Sequence, residues 1–246
     1  LSAQYYSDEE DNDDLISSSV MINLEALDTI VNNYSIFFTG ENHLYRSENT
    51  NISLQMLKYL NEKANVRNLI LEFGFSRGYM VNAYVNGDTT FLDKLKTNSF
   101  AEYIAFYKEL KVLNDSLPKD KKIKVHGVDV ERFHEDAFNL LGKLIPKDSV
   151  IPESIAFNIE VIQSFASYAQ INRYRHEDYD YERYIGSWNN AFYSAKAVDS
   201  IVKDYTANKA DYESYLNEDF EVFDKVMSSL VELRKWQEYA QLPHQS

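Results

Sequence analysis

Residues 69–74 read LILEFG: five residues, Leu69–Phe73, that are apolar except for Glu72, closed by Gly74. So short an apolar run bounded by a turn residue predicts a buried β-strand rather than a helix, which needs twice the length. Upstream, Ile52, Met56, Leu57, Leu60 and Ala64 recur at helical spacing, which predicts an amphipathic helix over residues 52–64. Before that helix, SIFFT at 35–39 runs into Gly40 and predicts another buried strand. Residues 18–32 read as a short amphipathic helix with serine available at its start.

Downstream, two short helices are expected near residues 76–85 and 90–96. A longer one starts from Ser99, where Ser99 and Glu102 match a capping box and Phe100, Tyr103, Tyr107 and Leu110 repeat at helical spacing. KVHGV at 124–128 predicts a third strand that ends at Asp129. Strand, helix, strand, helices, strand, with crossovers this long, is the pattern of a parallel sheet with helices on its faces. After Pro152 only helical periodicities follow. One carries Ile155, Ile159, Ile162, Phe165 and Ala169; a second runs from Tyr181 to Val202; a third carries Leu216, Phe220, Phe223, Met227, Leu230 and Leu233. The aromatic stripe in these helices reads as core. The expected fold is α/β: a flexible acidic arm over 1–17, an α/β core over 18–150, and a long helical segment over 151–246 packed on that core.

Composition narrows the function classes. With 39 acidic against 25 basic side chains the net charge is −14, and no basic stripe interleaved with aromatics is visible, so nucleic acid is not an expected partner. Six of the acids crowd into residues 8–14 and read as a solvated arm. Cysteine is absent, which excludes thiolate catalysis, disulfides and cysteine-held metal. No stretch approaches the roughly 20 apolar residues that span a bilayer. The chain starts at Leu1 with a polar arm, which is what remains when an export signal is removed. An exported protein, periplasmic or a lipoprotein, is therefore one expectation and a cytoplasmic one the other.

The chemistry is positional. Each predicted strand runs straight into an acid, Glu41, Glu72 or Asp129, and ligand sites of parallel sheets lie beyond the carboxyl ends of the strands. His43 follows Glu41 by two residues and is a proton acceptor near neutral pH, whose tautomer a neighbouring carboxylate would fix. A solvated loop histidine is the alternative reading. Arg46 and Glu48 are candidate substrate-binding residues or an ordinary surface pair. His126, Glu131, Arg132 and His134 surround Asp129. Of these, His126 lies inside the strand and reads as a satisfied core residue, whereas His134 and Glu135 are expected to open the next helix and face solvent. Glu41, His43, Glu72 and Asp129 could ligate Mn, Zn or Fe, yet no spaced H-E-x-x-H pair is present, and chemistry without metal or cofactor is the first expectation. Neither a G-x-S-x-G elbow nor a Walker loop nor a G-x-G-x-x-G fingerprint occurs.

The stretch FFTGENHLYRSENTNISLQMLKYLNEKANVRNLILEFG (37–74) resembles the erythromycin esterase-like proteins and their relatives among the iron-regulated ChaN-type lipoproteins. Those families open with a strand leading into Gly-Glu-x-x-His or Gly-Glu-x-His, then a helix, then a strand ending in glutamate. KVHGVDVER (124–132) resembles their third strand, which runs into Gly-x-Asp. The resemblance implies an ester or lactone hydrolase in which His43 activates water without metal. Glu41, Glu72 and Asp129 would frame it, and Arg46, Glu48, Arg132 and His126 would contact a small-molecule substrate. G-E-N-H here has the shorter spacing of the ChaN-type form, linked to haem or iron, so a protein that binds metal, haem or a small ligand is the alternative. The esterases carry further strands and site histidines after their helical insertion, where this chain stays helical near Trp236. A shortened, catalytically inactive relative is therefore a third expectation.

Overall fold

The computed structural model describes residues 22–42, 45–96, 99–131, 134–171 and 198–241. It is an α/β structure: a two-stranded parallel sheet packed with helices, ending in a long helix. Strand β1 is Asn68–Gly74 and strand β2 is Lys124–Asp129. The helices, in chain order, are α1 (Arg46–Lys63), α2 (Phe75–Val85), α3 (Leu92–Lys96), α4 (Ala101–Ser116), α5 (His134–Leu144) and α6 (Ala156–Ile171). There follow α7, of which 198–207 is described, α8 (Lys209–Leu216) and α9 (Phe220–Gln241).

The chain divides into two compact units, each described by itself. One holds the described residues up to Leu71 together with Gly78–Gly127; the other holds Glu72–Arg77 and the described residues from Val128 onward. Each strand begins in the first unit and ends in the second.

In the first unit α1 packs on α4, and Leu57 and Leu60 on α1 and Ile104 and Tyr107 on α4 are buried. Helix α2 crosses β2 so closely that a Cβ on Gly78 would lie 2.0 Å from the backbone nitrogen of Gly127. Only glycine permits that approach, and it sets the helix directly on the covered face of the sheet. Asn114, fully buried on α4, then fixes the entry to β2. Its side chain accepts from the Ile123 N–H at 2.8 Å and donates to the Ile123 carbonyl at 2.9 Å, satisfying both backbone groups of a residue that belongs to no ladder. In the second unit α5 packs on α6 and α9. Phe138 stacks on Phe165 at 4.8 Å, and Ile155, Ile159, Ile162, Phe223, Met227 and Leu230 are fully buried, at the positions the helical periodicity marked.

Three expectations are corrected. Residues 35–39 form no strand: they run as irregular chain, with Ile36 71 % and Phe38 94 % exposed. The apolar run has the propensity of a strand, but among the described residues no neighbour pairs with it, and propensity alone does not make a ladder. Residues 25–27 and 31–33 are single 3-10 turns where one amphipathic helix was expected; residues 18–21 lie outside the described residues. At α4 the N-cap position falls to Phe100, one residue after the Ser99 expected there. Of the expected helix from Tyr181 to Val202, the part up to 197 lies outside the described residues; Val198 is fully buried.

Candidate functional site

Strand alternation decides where the acids go. On β1, Asn68, Ile70 and Glu72 are exposed while Leu69, Leu71 and Phe73 are half-buried; on β2, Lys124, His126 and Val128 are exposed while Val125 is buried and Gly127 and Asp129 half-buried. Glu72 therefore lies on the bare face of the sheet, level with exposed apolar side chains, and Asp129 on the covered one. Strand β2 ends at Asp129, whereas Glu72 lies inside β1, two residues before its end at Gly74, and the two carboxylates leave on opposite faces. Asp129 accepts the N–H of the next residue, Val130, at 2.8 Å. His126 is exposed rather than in the core, and its Nε2 lies 3.0 Å from Asn68 Oδ1 on the neighbouring strand.

Glu41 belongs to the first unit. It sits on exposed chain just ahead of α1, and the geometry that holds this turn is local. Asn49, on the first turns of α1, donates from Nδ2 to the Asn42 carbonyl at 2.7 Å and accepts from the Asn42 N–H at 3.4 Å. The Tyr45 N–H also donates to the Asn42 carbonyl, at 2.9 Å. The turn after Glu41 is thereby tied to the start of the helix. Arg46, the first residue of α1, lays its guanidinium over the Phe100 ring, 3.8 Å from the centroid. Next to it the Tyr103 hydroxyl is held above its ordinary pKa, chiefly by burial and further by the Glu41 charge, with Arg46 pulling the other way. Glu41, Arg46, Phe100 and Tyr103 thus form one polar and aromatic cluster where α1 and α4 begin. Glu48 is half-buried in the first turn of α1. His43 and Arg132 lie outside the described residues.

The second unit holds a carboxylate that sequence reading placed near Asp129 without a role. Glu131 is 1 % exposed. Its Oε1 accepts the Ser76 N–H at 2.7 Å, at the start of α2, and its Oε2 stands where a side chain on Gly74 would be, 2.4 Å from that position. Burial pushes its pKa up to about 7, with the Asp136 charge adding and the Ser76 N–H opposing. One residue on, Arg77 makes a two-pronged ion pair with Asp136 at 2.7 and 3.1 Å, both side chains buried. Together these bonds fasten the loop that follows β2 to the junction of β1 and α2. His134 does open α5 but is half-buried rather than facing solvent; burial and the Arg234 charge lower its pKa.

Among the described residues no three histidine, aspartate or glutamate side chains stand together to hold a metal ion, and no helix is long and apolar enough to cross a membrane. Compared with protein-family models, with curated proteins and with solved structures, the chain matches none.

Proposed function

We propose that the chain is a metal-independent hydrolase of an ester or lactone, related to the erythromycin esterase-like proteins, with His43 as the general base. His43 takes a proton from water, the hydroxide formed attacks the substrate carbonyl, and the tetrahedral intermediate expels the alcohol, which recovers the proton. The observation that carries the reading is Asn42, between Glu41 and His43 in sequence, tied to α1 through Asn49, with Arg46 and Tyr103 beside Glu41. A carboxylate next to the histidine favours its basic tautomer, a neutral Tyr103 hydroxyl can donate to an oxyanion, and the Arg46 guanidinium adds positive charge. Glu72 and Asp129, on opposite faces of the sheet, enter as separate test positions rather than as one pair.

The test is hydrolysis of ester and lactone substrates by the wild type and by His43→Ala, each with and without EDTA. Turnover that survives EDTA and disappears in His43→Ala supports the reading. A folded wild type that cleaves no ester sinks it. The short G-E-N-H spacing favours a second reading, a binder of metal, haem or a small ligand, for which added haem or metal would give a new absorbance band that His43→Ala loses.

A further inference from the structure

Residues 35–39 and the part of strand β1 up to Leu71 carry complementary defects within the same unit. The run Ser35-Ile36-Phe37-Phe38-Thr39 is built of residues that favour strands, yet its backbone lies in no ladder, with Ile36 and Phe38 mostly in water. Strand β1 is an edge. The Lys124 N–H donates to the Arg67 carbonyl at 2.8 Å, which sets the phase of the ladder: in a parallel pair, Leu69 and Leu71 then turn their backbone groups to β2, and Asn68 and Ile70 turn theirs away. No strand among the described residues meets that outer edge. An open edge of this kind recruits extended chain.

Topology says which chain. The connection from β1 to β2 runs through α2, α3 and α4, with α2 on the covered face against Gly127. Helix α1 packs on α4, so the connection from residues 35–39 to β1 passes over the same face. Both connections exceed the dozen or so residues a parallel crossover needs. Such crossovers are right-handed, and two of one hand over one face carry the chain the same way across a sheet. The place for residues 35–39 is therefore beside β1, on the side away from β2.

We propose that Ser35–Thr39 docks in parallel on the free edge of β1, and that the arrangement described here is the open state of this strap. Docking pairs the unsatisfied backbone of the run and puts at least one of its phenylalanine rings under α1, whichever way the alternation falls.

The Ile70 amide is the reporter, because it points out of the open edge. Amide hydrogen exchange, read residue by residue by NMR on the whole chain, is expected to show Ile70 and an amide within 36–39 slowed about tenfold or more relative to unstructured chain. Phe37→Pro and Phe38→Pro remove donors of opposite parity, and at least one is expected to release the Ile70 amide while α4 and α5 stay protected. If neither proline variant folds, Phe38→Asp, which keeps the amide and loses the apolar ring, is expected to release it instead. An unprotected Ile70 amide in the folded wild type overturns the proposal, and so does protection that all folded variants retain. Turnover with Ile70 unprotected sinks the docking alone; protection without turnover on any ester sinks the hydrolase reading alone.

Discussion

Glu131, Arg77 and Asp136 are buried charged side chains that tie the loop after β2 to the start of α2, and none of them stood out in the sequence. Glu131 looks like any charged residue of a loop; what buries it are Gly74 and Ser76, more than fifty positions earlier, and no local pattern announces so distant a contact. Asp129 was legible because it ends a strand, and its face was not, because that depends on the register with the partner strand. The raised pKa of Glu131 makes a prediction with a definite sign. Its folded value of about 7 exceeds the ordinary 4.5, so the folded state binds the proton more tightly. The stabilisation is fully present below pH 4.5, declines between 4.5 and 7, and is gone above, by at most about 1.4 kcal/mol per pH unit in that window. Urea unfolding at a series of pH values should show this decline, and Glu131→Gln should flatten it. For the ion pair, Arg77→Met strands a buried carboxylate and should cost about 3–5 kcal/mol, whereas Arg77→Met with Asp136→Leu should recover much of it. A single variant as stable as wild type would show that the pair is not buried in solution.

At the scale of elements, legibility followed locality. β1, β2, α2 and α4 lie within a few residues of the boundaries expected, because apolar runs and helical spacing are properties of contiguous chain. α1 begins at Arg46, ahead of the apolar stripe that betrayed it, because its first turns are polar and are used to hold the turn after Glu41. Residues 35–39 were misread because a strand is made by its neighbour and not by its own composition. Two element-scale predictions follow from close approaches. Gly78→Ala forces a Cβ against the Gly127 backbone on β2, where nothing flexible can yield, and should cost about 3 kcal/mol or more in thermal or urea unfolding. Asn114→Ala leaves the Ile123 N–H buried without its side-chain partner and the Ile123 C=O with only the longer bond from Asn86, and should cost about 1–3 kcal/mol, where an exposed asparagine would cost nearly nothing.

Across the whole molecule, the α/β class was readable from the order of elements, while the division into two units was not: it follows contacts that interrupt one stretch of chain with six residues belonging to the other. The net charge of −14 is also a whole-molecule property, and it opposes compaction through self-repulsion. Raising salt from about 10 mM to about 150 mM shortens the screening length from roughly 30 to 8 Å, so the urea midpoint should rise. A midpoint that falls or stays level would mean that the local ion pairs outweigh the long-range repulsion. The Arg77–Asp136 pair has one more consequence, in the order of synthesis. The cation is made 59 residues before the carboxylate that neutralises it. At about 5–20 residues per second, a ribosome leaves Arg77 waiting for roughly 3–12 seconds, during which α2 cannot bury its first turn without sealing in an uncompensated charge. The stretch up to α2 thus emerges unable to finish, and the first turn of that helix is expected to stay open to water until Asp136 has been made.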